Sequence, residues 1–186
     1  MKNRLFLGVV LALLPSAVLA TVVKAQTFEE MTKVAPLVVR ATVQSTQAMY
    51  DQTERNIWTY TELQVTDTLK GHIGSALMVK QPGGEVGRVG AHVDGTAKFA
   101  VGETVLLFLE PAADEPNAFI VLGLAAGKVS LENQHGELRA IRRTEGLGFA
   151  APGNKGFKRV EPVEDLGPAD AFINRIRKAV TAGATR

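Results

Sequence analysis

Val105-Leu106-Leu107-Phe108-Leu109, preceded by Gly102-Glu103-Thr104, is apolar at every one of its positions. Successive side chains of a strand point to opposite faces of a sheet, so a strand with one wet face alternates. A run with no polar side predicts a central strand with apolar material on both faces. The chain around it reads as further strands. Leu37, Val39, Ala41 and Val43 share one side of a period-two stretch whose other side holds Arg40, Thr42 and Gln44, the pattern of a half-buried strand. Ile57 to Leu69 is rich in β-branched and aromatic residues (Trp58, Thr59, Tyr60, Thr61, Val65) and ends at Lys70-Gly71. Ala76 to Gln81 forms a third strand, closed by Pro82-Gly83-Gly84. Ala118 to Leu124, Lys128 to Glu132 and Glu137 to Arg142 read as three more, the last two joined by a hairpin turn at Asn133 to Gly136. Val39, Val43, Leu63, Val65, Leu107 and Leu109 are the expected core.

Helices are expected only at the two ends. Thr27-Phe28-Glu29-Glu30 matches a capping box and predicts a short helix to about Val34, halted by Pro36. Pro168 to Val180 repeats Phe172, Ile173, Ile176 and Val180 at helical spacing, with Arg175, Arg177 and Lys178 late in the helix; Thr181 to Arg186 reads as frayed. Gln47 to Asn56 is polar and reads as a connection. Gly83 to Lys98 reads as a glycine-rich loop with room for an edge strand, and Thr144 to Asp165 as an irregular wrap. No helical segment lies between strands to carry a parallel crossover. The fold class is therefore mainly β: a small antiparallel twisted barrel, OB-like, or a sandwich. It is one domain, with strands over 26–143 and the wrap and helix of 144–186 packed on it.

Residues 1–25 read as a secretory signal peptide. Lys2 and Arg4 supply the charged start, an uncharged and mostly apolar run extends from Leu5 to Val23, and small residues offer cleavage after Ala20 or Ala25. An uncleaved anchor is the alternative, disfavoured by Pro15 within the run. The whole chain is formally +2, but Lys2, Arg4 and Lys24 precede Gln26, which leaves 18 basic against 19 acidic residues, or −1. A basic pI that belongs to the leader gives no reason to expect nucleic acid. The rest divides into an acidic body to Leu138 and a basic tail beyond it, which reads as two parts of one fold meeting each other. The mature chain of about 160 residues can bury a core, and it has no cysteine for disulfides, metal ligation or nucleophilic catalysis. The expected location is the periplasm or the medium of a bacterium, with no transmembrane segment after cleavage.

Leu37-Val38-Val39-Arg40-Ala41-Thr42-Val43, Tyr60 to Val65 leading into Thr68-Leu69-Lys70-Gly71, and Gly102-Glu103 before Val105 to Leu109 together resemble exported bacterial β-domains of uncharacterised function. The same succession, over Leu37 to Leu131, is similar to the netrin-like, TIMP-like modules of metalloproteinase inhibitors. That resemblance implies an OB-type barrel. Those inhibitors chelate a target's metal through an N-terminal cysteine and are disulfide-linked, whereas this chain has no cysteine. No functional residue carries over, and inhibition of an exported protease stands only as an alternative.

Two groups of residues are candidates for a binding surface. Trp58 and Tyr60 share one side of their strand and form a platform for a sugar or a peptide, unless Phe172 and Ile176 of the C-terminal helix cover them. Gly83, Gly84, Glu85, His92 and Asp94 lie in the glycine-rich loop, where glycine permits close backbone approach to a ligand or simply a sharp closure of the strands. The rival to a binding role is a hydrolase or metal-dependent enzyme centred on Glu85, His92 and Asp94. No metal-ligand spacing or nucleophile motif supports it, and His72 and His135 read as exposed turn residues. Gly123 to Ser130 superficially resembles a phosphate loop, but with the wrong spacing and no helix-forming run after it. The expectation is a non-catalytic, exported or envelope-associated binding module, without cofactor, whose partner is a protein or a glycan.

Overall fold

A computed structural model describes residues 21–150, 157–158 and 162–184. The leader up to Ala20 lies outside them. The elements in chain order are β1 (Thr21–Lys24), α1 (Phe28–Val34), β2 (Leu37–Tyr50), β3 (Ile57–Lys70), β4 (Ala76–Pro82), β5 (Gly84–Val86), β6 (Val89–Ala91), β7 (Thr104–Pro111), β8 (Ala118–Val121), β9 (Lys128–Gln134), β10 (Glu137–Arg143), β11 (Leu147–Ala150), β12 (Phe157–Lys158), β13 (Val163–Pro168) and α2 (Ala169–Ala184). A single 3-10 turn, Leu124–Gly127, separates β8 from β9.

The protein is mainly β. Its large sheet runs β13-β10-β9-β7-β2-β3-β4-β8, and β8 pairs back onto β7, so that β7, β2, β3, β4 and β8 form a ring of five strands. Numbered along the chain, these strands follow one another around the ring as first, second, third, fifth and fourth, a barrel-like arrangement. All pairs in the ring are antiparallel except β4–β8. One edge of β7 is shared: Val105 to Leu107 pair with β9, and Leu109 to Pro111 pair with β8.

The all-apolar β7 divides two cores, as its sequence requires. Val105, Leu107 and Leu109 face into the ring with Val39, Val43, Leu63 and Val79. Leu106 and Phe108 face the other way, onto a layer built by α1 and α2 with Phe28, Met31, Phe172 and Ile176. Phe28 is the keystone of that layer, edge-on to Phe172 at 4.8 Å between ring centroids and tilted against Phe108 at 5.8 Å. The Arg142 guanidinium lies 4.8 Å above its ring. The predicted capping box of α1 is present, with Thr27 and Glu30 exchanging hydrogen bonds of 2.8 and 3.1 Å. Lys70 donates to the carbonyls of Thr32 and Lys33 at the other end of α1, where the helix dipole favours a cation. The basic tail meets the acidic body in part: Arg175 pairs with Glu29, Arg177 with Asp67 and Arg143 with Glu132.

Several expectations need correction. β2 is covered on both sides at its start, because Val38 joins the helical layer. It also continues to Tyr50, through the polar stretch read as a connection. There it has passed the end of its pairing with β7 and is held by β3 alone, with little burial to supply an apolar period. The wrap expected over Thr144 to Asp165 is not wholly irregular where it is described: β13 extends the sheet as the partner of β10, and Arg139–Asp165 and Arg142–Glu164 pairs reinforce the ladder. Helix α2 runs on to Ala184, past the expected fray. Val65 is only partly buried beside the ring core, because β2 and β3 slip in register near it.

Candidate functional site

Two concavities back onto each other across the end of β4. The register of β3 and β4 places Trp58 opposite Pro82, Thr59 opposite Gln81 and Tyr60 opposite Lys80. Val79 lies in the ring core, so Gln81 and Thr59 belong to the inward face, and Trp58, Tyr60, Lys80 and Pro82 to the outward one.

On the outward face the organising residue is Lys80. Its side chain is only 7% exposed, yet its ammonium reaches Asp114 at 2.8 Å and Glu115 at 3.2 Å, both from the loop between β7 and β8. It lies 4.3 Å from the Trp58 ring centroid and 5.9 Å from that of Tyr60, within reach of a cation–π attraction. The Tyr60 hydroxyl donates to Glu115 at 2.9 Å, which closes the cluster. Burial pulls the Lys80 pKa down, but its hydrogen bonds to the two carboxylates outweigh this and leave it above its ordinary value of 10.5. The Lys80 hydrogen bond holds Asp114 below the ordinary carboxylate value, and burial, with the bond to Glu115, raises Tyr60. Trp58, Lys80, Pro82, Ala112, Ile120 and Leu124 are among the residues that line an adjoining, mostly apolar cavity of about 400 Å³. Phe172 and Ile176 do not cover Trp58 or Tyr60; both sit in the helical layer on Phe28 and Phe108. The reason is positional, since that layer lies over β7, β9 and β10, not over this end of β3 and β4.

Trp58 is the chain's only tryptophan, so its emission reports on this cluster alone. A carboxylate whose pKa is depressed on folding contributes stability above its unfolded value of 3.8 and loses it as pH falls below that. Acidification through this range should release Lys80 and shift Trp58 emission before far-UV circular dichroism changes. Lys80→Met should remove that step. An identical acid step in the variant would refute the assignment.

The inward concavity, about 500 Å³, lies at the end of the ring beneath the β5–β6 hairpin. It brings together four of the five loop candidates: Gly83, Gly84, Glu85 and His92 line it, with Thr46, Thr59, Gln81 and Phe99. Asp94 sits beside them through a 2.9 Å hydrogen bond to His92 Nε2. Gly83 and Gly84 have positive φ, and a Cβ on Gly84 would meet the Thr59 hydroxyl at 2.5 Å and the Ala48 methyl at 2.7 Å. These two glycines therefore serve closure first: they let the hairpin seat on the ring. Among the described residues no group of three or more His, Cys, Asp or Glu side chains is placed to hold a metal ion. Glu85, His92 and Asp94 are therefore not grouped to hold a metal ion.

A serine does acquire partners that the sequence did not reveal. Ser130 donates to Glu103 at 2.5 Å and lies 3.3 Å from the Lys128 ammonium, which bonds the same carboxylate at 2.6 Å. This is a buried ion pair rather than a nucleophile site. Glu103 holds both groups, and the adjoining void is only about 70 Å³. The segment before it is a 3-10 turn leading into a strand, so the phosphate-loop likeness has no helix behind it. His72 and His135 are exposed in turns, as expected.

Sequence reasoning found the aromatic pair and the glycine loop but missed Lys80, Gln81, Asp114 and Glu115. A charged and an amide residue inside the apolar run Leu77 to Pro82 were the available signal. Their meaning depends on a strand register that only the fold supplies. No protein-family model and no curated protein matches this chain.

Proposed function

We propose that this protein is an exported, non-catalytic binding module that receives a partner on the outward face of β3 and β4. The single observation that carries this is the environment of Trp58. A half-buried indole is fixed by a buried lysine and two carboxylates beside an apolar cavity of about 400 Å³. Anchored tryptophans at the edge of apolar pockets are the residues that dominate protein interfaces. Met49, opposite Trp58 on β2 and exposed, extends the apolar row across three strands to Pro82. In OB-type barrels the face of the second and third strands and its flanking loops is the usual binding surface, a likeness that suggests a place and not a ligand. The apolar character of the cavity favours a protein partner over a glycan here.

Export accords with the leader pattern. The strand β1 begins at Thr21 and pairs in parallel with β11, which favours processing after Ala20 over Ala25, because the later cut would remove that strand. The test is affinity capture from exported and envelope fractions, using mature protein whose N-terminus has been sequenced, alongside metal analysis. Wild type should retain a specific partner, and Trp58→Ala should lose it. Stoichiometric zinc or calcium that disappears on replacing His92 and Asp94 would overturn the metal-free reading.

A further inference from the structure

We infer that the cavity at the end of the ring is a second binding site, for a neutral ligand rich in hydroxyl and amide groups and of disaccharide size. The leading observation is Gln81. It is 5% exposed and lines the cavity, yet among the described residues its side-chain amide has no hydrogen-bond partner. An amide carries two donors and an acceptor, and at Gln81 these stay accessible from the cavity it lines. A position built only for packing would be apolar, as Leu77 and Val79 are on the same face of β4. Gln81 is thus a polar group held ready at the floor of a concavity whose volume falls within the usual range for small ligands.

The rest of the wall fixes the chemistry. Thr59 donates its hydroxyl proton to the Gly83 carbonyl at 2.7 Å, which leaves the oxygen lone pairs free to accept. Thr46 adds a second hydroxyl, and the backbone of the Gly83-Gly84 turn passes without side chains in the way. Phe99, half-buried, supplies a flat apolar side. Charge is confined to the rim: Glu85 and Lys98 are exposed and opposite in sign, and His92 is taken up by Asp94. No uncompensated charge faces inward to recognise an ionic ligand. Paired hydroxyl and amide groups around an apolar ring face are what an N-acetylated sugar presents. The cavity backs onto the Trp58 one, and Gln81 and Pro82 belong to the walls of both, but strand parity turns residue 81 inward and residues 80 and 82 outward.

The probe is N,N′-diacetylchitobiose, titrated into the ¹⁵N-labelled mature protein, with triglycine as a neutral amide control. The expected result is a saturable shift of the Gln81 side-chain amide and of the Gly83, Gly84 and His92 backbone resonances, while the Trp58 indole stays in place. Gln81→Leu and Gln81→Met, both close to glutamine in volume, should each weaken binding at least about tenfold by removing the hydrogen-bonding amide. The proposal is overturned if no saturable shift appears in the wild type, if either folded variant binds the sugar like the wild type, if the shifts fall on Trp58 instead, or if triglycine binds as well as the sugar.

Discussion

Replacing Leu107 by Ala should lower the unfolding free energy by about 2–5 kcal/mol, measured by urea denaturation. Leu107 is fully buried in the ring, on a strand covered on both faces along most of its length. The methylenes removed are lost from water-free contact, and β7 is pinned by β2 on one edge and by β8 and β9 on the other, which limits collapse around the void. Leu106→Ala should cost a similar amount through the opposite, helical layer. A loss below about 0.5 kcal/mol at Leu107, the range of surface positions, would mean that the two-core account of β7 is wrong.

Glu103→Gln should be comparably damaging, at about 3–5 kcal/mol, because it leaves a buried cation without its counter-charge. The Lys128 side chain is 11% exposed and that of Glu103 is 16% exposed. Burial already pulls the Lys128 pKa below 10.5, and its hydrogen bond to Glu103 opposes that shift. Between the lowered folded value and the unfolded one, the folded state binds fewer protons, so stability rises with pH in that window. In Glu103→Gln the folded value falls further. Its deficit relative to wild type should therefore shrink as pH is raised from neutrality toward 10. Adding Lys128→Met should recover most of the loss, since an absent pair is tolerated better than half of one. A deficit that stays constant with pH, or a double variant no better than the single one, would contradict this reading.

What was legible in the sequence follows from how local each signal is. The capping box at Thr27 and the apolar run at Val105 to Leu109 are complete within a few residues, and both appear as read. The strands of the ring were legible wherever one face is buried, because alternation then marks them. Gln47 to Tyr50 and Val163 to Pro168 escaped for the complementary reason: they are held by backbone pairing to β3 and β10 with little burial to leave a pattern. The candidate site was half legible. Trp58 and Tyr60 could be assigned to a common side from β3 alone. Their true neighbours come from β4 and from the Asp114-Glu115 loop, 55 residues from Tyr60 to Glu115, through a register that no local pattern encodes. The glycine loop was legible as a place of close approach, but Gln81, which gives its cavity a polar floor, lies two residues before that loop, in the strand that leads to it.

The central claim is that Trp58 and its lysine-carboxylate setting form a partner-binding surface. The most direct measurement is the emission of Trp58, the sole indole, titrated with the purified partner recovered by capture, beside the capture affinity of Trp58→Ala. The account predicts a saturable emission change in the wild type, and an affinity loss in the variant of about 2 kcal/mol or more, roughly thirtyfold, as for an interface anchor. Unchanged emission at saturating partner, or a folded Trp58→Ala protein that binds as tightly as the wild type, would contradict it.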